Sequence, residues 1–203
     1  MKHFSELTPA AERIVDAAEG LIQAVGYNGF SYEDVAQIVG IRKPSIHHHF
    51  PGKADLGAMV AQRYTHRFLA RLTDIESTFS DAGSRLRAYG GLFADTYATD
   101  RRLCICGMLG AESDSLPAEI NQEVQRFFEQ NLHWLQMVLE SGAAKQELAL
   151  TAPASALAAL YLSALEGSML LGRGRQSPQG PAAVADALFS TLNRPQPTPP
   201  AAH

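Results

Sequence analysis

Residues 11–56 read AERIVDAAEGLIQAVGYNGFSYEDVAQIVGIRKPSIHHHFPGKADL, and their hydrophobic residues recur at helical spacing in three runs. Gly26 ends the first run and Gly40 ends the short second run. Pro44 stands where the first turn of a third helix tolerates proline. Two short helices joined by a tight turn, behind a longer first helix, form the layout of a helix-turn-helix.

Capping residues mark where these helices begin. Thr8 followed by Pro9 is an N-cap residue with proline at the first helical position. Ser31, with Asp34 three residues later, forms a start that resembles a capping box. A fourth helical pattern begins at Lys53. The stretch therefore predicts four helices in succession.

The rest of the chain keeps helical spacing and contains no sustained strand pattern, so the predicted fold class is all-α with about nine helices. We expect a helix-turn-helix DNA-binding domain over residues 1–52, a larger helical domain over 53–194 and a Pro-rich disordered tail over 195–203. The later helices are predicted over 84–99, 102–114, 117–144, 153–171 and 181–192.

Composition excludes several classes of protein. The 203 residues are 46% hydrophobic and 19% charged, which excludes a disordered or fibrous chain, and the net charge of −4 excludes a general polyanion binder. Cys104 and Cys106 are too few for a disulfide scaffold or a four-thiolate zinc site. The start carries no secretory signal, and Glu166 interrupts the most apolar stretch, so we expect a cytoplasmic protein that does not span a membrane.

The third helix carries a local concentration of positive charge. Between Gly40 and Lys53 the chain reads GIRKPSIHHHFPGK, in which Arg42, Lys43 and Lys53 are the only charged residues. A helix fits the major groove of duplex DNA, and its first residues present cationic and hydrogen-bonding groups there. This end of the domain is therefore expected to face double-stranded DNA.

These residues resemble the N-terminal domain of the tetracycline-repressor (TetR) family of transcriptional regulators. The similarity runs from Glu12 to Leu56 and follows the order helix one, Gly, aromatic, Ser, Val-Ala, Gly-Ile, Lys, His-Phe, Lys and Leu. It implies base-edge contacts from Lys43, Pro44 and His47. It implies phosphate contacts from Tyr32, Ser45, His48, His49 and Lys53. Arg42, one of the local positive charges, completes the predicted DNA-binding set.

Other roles stay open for some of these residues. The family usually has Tyr at the position of His47, and a histidine there allows protonation to change DNA affinity between about pH 5 and 8. His49 could pack or cap the helix, and Lys43 and Lys53 could be merely solvated. Adjacent helical residues point about 100° apart, so the three histidines do not converge on one ion, and we predict no metal and no cofactor.

For the second half of the chain, the resemblance implies a helical domain that dimerises and holds an inducer pocket. Aromatic residues recur along two of its helices, and a few polar residues stand among apolar ones. These stripes could equally form core, and Glu166 could pair with an Arg. The predicted ligand-binding residues are Tyr89, Phe93, Glu112, His133, Trp134, Tyr161 and Glu166.

Small residues repeat every four positions in the segment 153–171. Such a row lets another helix approach closely and, with the Ala-rich segment 181–188, it predicts a four-helix interface between two subunits. Close packing within one subunit is the alternative. The predicted dimer-interface residues are Ser155, Ala159, Ser163, Gly167, Ala183 and Ala187.

The predicted function is a ligand-responsive, sequence-specific DNA-binding transcriptional regulator. Its partners would be a palindromic operator, a second copy of itself and an unknown small-molecule inducer that releases it from DNA. We find no catalytic motif and expect no enzyme. Activation instead of repression stays open, as do a non-enzymatic helical adaptor and a redox- or electrophile-sensing regulator that uses Cys104 and Cys106.

Overall fold

The computed structural model describes residues 4–192, and the Pro-rich segment predicted to be disordered lies outside this range. Within it the protein forms nine α-helices and no strand, which confirms the predicted fold class. Short 3-10 helices lie at Phe4–Glu6 and Ser113–Ser115. The α-helices are α1 (Pro9–Val25), α2 (Tyr32–Val39), α3 (Lys43–His49), α4 (Lys53–Thr78), α5 (Ala82–Ala98), α6 (Ile105–Ala111), α7 (Ala118–Ala144), α8 (Ala154–Gly174) and α9 (Pro181–Leu192).

The capping residues act where the sequence predicts them. The Thr8 hydroxyl accepts a hydrogen bond from the backbone of the first turn of α1, with an N–O distance of 3.3 Å. The Ser31 backbone N–H donates to the Asp34 carboxylate at 2.7 Å before α2. Gly26 and Gly40 end α1 and α2 with φ angles of +80° and +73°, values that favour glycine.

Helix α6 is shorter than the predicted helix over 102–114. Asp100 and Arg101 have φ angles of +53° and +54°, which places them in the left-handed region and interrupts any helix across them. Cys104 then has a non-helical backbone, with φ −57° and ψ 132°, so that α6 begins only at Ile105, and the segment after Ala111 turns into a 3-10 helix. Helix α9 has the predicted bounds, and the bounds of α5, α7 and α8 differ from prediction by at most three residues.

The chain forms two compact units. One contains the described residues up to Arg71 together with Arg102–Gln130, and the other contains Leu72–Arg101 and the described residues after Gln130. The boundary falls within α4 and within α7. The predicted division after residue 52 follows the helix-turn-helix motif and remains a prediction.

The first unit packs α1, α2, α3 and α6 with the beginnings of α4 and α7. Ile14, Ile22, Val35 and Ile46 are completely buried in it. A small ion-pair network joins α4 to α1: the Arg63 guanidinium lies 2.7 Å from an Asp16 carboxylate oxygen and 2.8 Å from one of Glu19, and Arg67 also pairs with Glu19. The Arg63 and Glu19 side chains are 11% and 16% exposed, so their bond is largely shielded from solvent, whereas Asp16 and Arg67 are exposed.

The second unit packs α5 against α8 and α9. The Tyr161 hydroxyl donates to the Leu86 carbonyl at 2.9 Å, and burial raises the pKa of this hydroxyl, which keeps it a neutral donor. Helix α8 is long and apolar enough to cross a membrane by length and composition, and one third of the segment that meets this test is buried in the described structure. Packing within this unit therefore does not account for the apolar side chains of α8 that are exposed.

We predict opposite effects from two adjacent glycines of α5. A Cβ at Gly90 would lie 2.6 Å from the Ala185 Cβ of α9, whereas a Cβ at Gly91 would meet nothing within 4 Å. Gly90→Ala should lower the free energy of unfolding by about 1 to 3 kcal/mol through overpacking. Gly91→Ala should raise it by up to about 1 kcal/mol through helix propensity. Denaturant unfolding of both variants measures this, and equal effects would contradict the close α5–α9 contact.

Candidate nucleic-acid interface

Helix α3 separates buried from exposed side chains. Ile46 is completely buried and Phe50, directly after the helix, is 4% exposed, so both belong to the core of the first unit. Five of the predicted DNA-binding side chains are exposed around them: Arg42, Lys43, Pro44, Ser45 and His47, and His48 joins them at the end of the helix. These groups offer cationic donors and hydroxyl or imidazole groups on a surface that solvent reaches.

Tyr32 is placed differently from the prediction that it contacts phosphate. Its side chain is buried, and its hydroxyl donates to the Phe50 carbonyl at 2.9 Å. Burial raises the pKa of the Tyr32 hydroxyl, so the group remains a neutral donor. Its ring packs edge-on against His47, with 4.8 Å between the centroids. Tyr32 therefore supports α3 through its contacts with His47 and with Phe50, directly after the helix.

The three histidines of α3 have different surroundings. His47 Nδ1 lies 3.2 Å from the Pro51 carbonyl, which accepts a hydrogen bond when that nitrogen carries a proton. The rings of His48 and His49 contact each other edge-on at 5.3 Å, and His49 is half-buried. Among residues 4–192, no group of three or more His, Cys, Asp or Glu side chains has an arrangement that could hold a metal ion.

The Lys53 ammonium also makes bonds within the protein, although the resemblance implies that it contacts phosphate. It donates to the carbonyls of Tyr27 and Phe30 at 2.6 and 2.5 Å, in the turn between α1 and α2. It also lies over both aromatic rings, 4.5 and 4.2 Å from their centroids. Burial lowers the pKa of this ammonium.

The same turn is held from the other side by Glu112, which follows α6. Its carboxylate accepts hydrogen bonds from the backbone N–H groups of Tyr27, at 2.6 Å, and Asn28, at 3.1 Å. The Asn28 amide donates to the Ser115 hydroxyl at 2.8 Å. A Cβ at Gly26 would come within 3.0 Å of this carboxylate. Glu112, which the sequence predicts as a ligand-binding residue, thus has its acceptor oxygens occupied by backbone.

Four of the predicted ligand-binding residues form one aromatic cluster in the second unit. The Tyr89 ring stacks on Trp134 at 5.4 Å and also contacts Phe93 at 5.5 Å and Tyr161 at 6.2 Å. The Tyr89 hydroxyl donates to the Asn131 side-chain carbonyl at 2.9 Å. The structure therefore brings these four aromatic side chains together, as a core or as the wall of a ligand site.

The other three predicted ligand-binding residues have different surroundings. Glu112 belongs to the first unit. His133 is exposed, and Glu166 is half-buried on α8. Their roles toward a ligand stay predictions.

All six predicted dimer-interface residues are exposed in the second unit: Ser155, Ala159, Ser163, Gly167, Ala183 and Ala187. Leu160, Leu170 and Leu171 lie on the same side of α8 and are 54%, 55% and 61% exposed. Three leucines exposed on one helix form an apolar surface of the kind that a protein interface covers.

Both cysteines are buried, and the Tyr64 hydroxyl donates to Cys104 Sγ at 3.5 Å. Oxidation of a thiol requires access to it. The burial thus gives no support to the sensor alternative and agrees with cysteines that pack as small hydrophobic residues.

Four polar side chains of the first unit, each with one buried oxygen atom, are missing from the sequence-based set. They are Gln62, Thr65, Glu123 and Gln130. Helical spacing could have indicated two of them. Thr65 is three residues before Phe68 and Glu123 is four residues before Phe127, so each stands one turn from an aromatic residue of an apolar face.

Comparison with known proteins places the chain among bacterial regulators. Residues 14–58 match the family model for bacterial regulatory proteins of the tetR family. The match covers α2 and α3 completely, together with most of α1 and the first residues of α4. No curated protein matches the chain.

Solved structures match nearly the whole chain. A TetR-family transcriptional regulator from Agrobacterium tumefaciens is 35% identical, over 91% of this chain and 98% of that one, with a TM-score of 0.88. A TetR transcriptional regulator from Legionella pneumophila is 32% identical, over 92% and 99%, with a TM-score of 0.82. The regulatory protein TetR from Rhodobacter sphaeroides, at 22% identity over 91% and 98% and a TM-score of 0.81, shares the fold.

We predict that Lys53→Met lowers stability far more than the same substitution at Lys43. Removal of the Lys53 ammonium leaves two carbonyls of the α1–α2 turn without their donor, which should lower the free energy of unfolding by about 1 to 3 kcal/mol. Lys43 is exposed, so Lys43→Met should change it by less than about 0.5 kcal/mol. Urea unfolding of both variants is the measurement, and a Lys53→Met protein as stable as the parent would show that the turn does not need this ammonium.

Proposed function

Because this chain belongs to the TetR family of bacterial transcriptional regulators, we propose that it is a ligand-responsive repressor that binds a palindromic operator as a homodimer. A small-molecule inducer would release it from DNA. The observation that carries the proposal is the exposed polar face of α3 on a buried support. In this proposal the protein is cytoplasmic and has no enzymatic activity.

The reading of DNA is assigned to the exposed side chains of α3. Lys43 can donate to guanine O6 or N7, and Ser45 and His47 can bond to base edges or phosphate. Arg42 and His48 flank them and are suited to phosphate. Because the chain carries a net charge of −4, DNA must approach this face specifically.

The dimer is assigned to α8 and α9. Their exposed small residues allow close approach of helices, and the exposed leucines of α8 supply apolar area to bury. A two-fold axis there would present two α3 helices to half-sites about 34 to 36 Å apart, one turn of duplex DNA. This surface also explains why α8 is so apolar without a membrane.

The inducer is assigned to the helical core, where the cluster of Tyr89, Phe93, Trp134 and Tyr161 offers an aromatic wall. Inducer and operator must prefer different arrangements of the dimer, since only a difference in affinity shifts the equilibrium. Each then weakens the binding of the other by the same factor.

The dimer assignment predicts that Leu171→Glu produces a monomer. The substitution places a charge on the exposed apolar face of α8, where burial at an interface is costly. Met137→Glu, at a side chain 51% exposed on α7, is the matched control and should remain dimeric. Sedimentation velocity measures the state of each. A Leu171→Glu protein that sediments like the parent would place the dimer interface elsewhere.

The DNA assignment is tested by selecting bound duplexes from a random pool with the purified protein, at two salt concentrations. A palindromic motif is expected, and recovery of no motif would contradict a sequence-specific dimeric regulator. On the selected duplex, Lys43→Ala should reduce affinity by about 1 to 3 kcal/mol and relax the base preference at its position.

Lys145→Ala is the matched control for Lys43→Ala, because it removes the same charge from an exposed residue outside the helix-turn-helix. It should leave the base preference intact and change affinity little. Equal losses in the two variants would mean that Lys43 contributes general charge and no base contact.

A further inference from the structure

The imidazole of His47 has one nitrogen bound within the protein and the other open to solvent. Its Nδ1 lies 3.2 Å from the Pro51 carbonyl oxygen, and its Nε2 has no hydrogen-bond partner within residues 4–192. The side chain is exposed on α3 and lies one turn after Lys43, so the two side chains share one face of the helix. The open Nε2 therefore belongs to the face to which the proposed function assigns the reading of DNA.

Two contacts fix the direction of the His47 ring. The first is the contact with Pro51, which lies just beyond the end of α3. The second is Tyr32, whose ring meets that of His47 edge-on, at 62° and with 4.8 Å between the centroids. Tyr32 is itself buried, and its hydroxyl is bound to the Phe50 carbonyl. The imidazole is thus supported before DNA binds, which reduces the entropy that it loses when it makes a further bond.

The partner of Nδ1 determines which nitrogen of the ring carries the proton. A carbonyl oxygen only accepts hydrogen bonds, so the contact with Pro51 is a bond only when Nδ1 carries the proton. A neutral imidazole has one N–H, and the hydrogen bond made by one nitrogen sets the state of the other. Nε2 of the neutral His47 side chain is therefore an acceptor, whereas the ammonium of Lys43 offers only donors.

An acceptor has few partners in the major groove of DNA. Guanine presents N7 and O6 there, adenine N7 and thymine O4, and all of these atoms are themselves acceptors. The donors on the base edges are the N6 amino group of adenine and the N4 amino group of cytosine. The oxygens of an ionised phosphate also accept, so the backbone offers Nε2 no bond. A neutral His47 that enters the groove is therefore suited to a base amino group.

We propose that His47 determines specificity at one base pair of each half-site, where Nε2 accepts a hydrogen bond from the amino group of an adenine or a cytosine. Lys43, one turn earlier, donates to guanine in the proposed function, so the two side chains read opposite hydrogen-bonding character. The tyrosine that the family usually has at the position of His47 carries a hydroxyl that donates or accepts, and it does not make this selection. The proposal rests on the proposed function, because it requires α3 to lie in the major groove.

The position of the proton is tested on the full chain without DNA. Its histidines are labelled with nitrogen-15, and the His47 signals are identified by their loss in His47→Gln. The spectra are recorded at about pH 8, where an ordinary histidine is neutral. We expect the two-bond nitrogen–hydrogen couplings to place the proton on Nδ1. A proton on Nε2 would overturn the proposal.

The base pair that His47 reads is found by repeating the duplex selection with His47→Ala at the same pH. His47→Ala should lose the base preference at one position of each half-site and keep it elsewhere, since the other side chains of α3 are unchanged. The preference kept elsewhere also shows that the variant is folded. The same complete motif from the variant and from the parent would contradict the proposal.

The atom that His47 contacts is identified with base analogues at that position. Purine in place of adenine, or pyrimidin-2-one in place of cytosine, lacks only the amino group. Its removal should raise the Kd of the parent about tenfold and leave the Kd of His47→Ala unchanged. A general weakening of the duplex affects both proteins alike, so equal losses in the two would rule out the contact.

His48→Ala is the matched control, because it removes the exposed imidazole next to His47. Whatever its overall affinity, it should keep the tenfold ratio between the duplexes with and without the amino group. Loss of the ratio in both variants would show that Nε2 of His47 does not make the distinction. If His47 is instead a donor, replacing a purine N7 at that position by carbon should weaken the parent but not His47→Ala, and this result would also overturn the proposal.

Failure of this proposal and failure of the proposed function give different results. A motif from the selection, together with a parent that tolerates loss of the amino group, leaves the regulator standing and removes the base contact. Recovery of no motif by the parent contradicts the sequence-specific regulator, and the base contact then fails with it.

Discussion

The turn between α1 and α2 is the constraint on which the DNA-reading unit depends, because the turn does not supply partners for all of its own backbone groups. Its carbonyls at Tyr27 and Phe30 bond to the Lys53 ammonium, and its N–H groups at Tyr27 and Asn28 bond to the Glu112 carboxylate. A cation from α4 and an anion after α6 therefore meet at one short segment. Both bonds are charge-assisted and stronger than those between neutral groups.

The position of α3 follows from that turn. The turn sets the direction of α2, and Tyr32 at the start of α2 holds the end of α3 through the Phe50 carbonyl. Ile46 is then buried and the polar residues of α3 face outward. Tyr32 and Lys53, which the resemblance implies as phosphate contacts, also support α3 and the turn, and their contact with DNA stays a prediction. Lys43, whose side chain is exposed, is the residue that the proposed function assigns to a base contact.

Local signals in the sequence predict the helices well because capping is a local interaction. Thr8, Ser31, Gly26 and Gly40 act within a few residues of their own positions, and the helices begin and end there. The bond between Glu112 and the α1–α2 turn joins residues 85 apart, so no local pattern contains it. The sequence therefore identifies Glu112 as a polar residue among apolar ones, but not its bonds to the turn, and its role toward a ligand stays a prediction. The late start of α6 is likewise missing from the sequence-based prediction, because the backbone of Cys104 is non-helical and α6 begins only at Ile105.

Helix α4 is attached to the first unit at two points along its length. Lys53 lies in its first turn and binds the α1–α2 turn, and Arg63, which pairs with Asp16 and Glu19 of α1, follows about 15 Å further along the helix axis. The first part of α4 is therefore held both by the turn and by the helix before it. In the proposed function, an inducer that displaces α4 would strain the bonds of Lys53 to the turn. Inducer and operator would then oppose each other through this one helix, without contact between them.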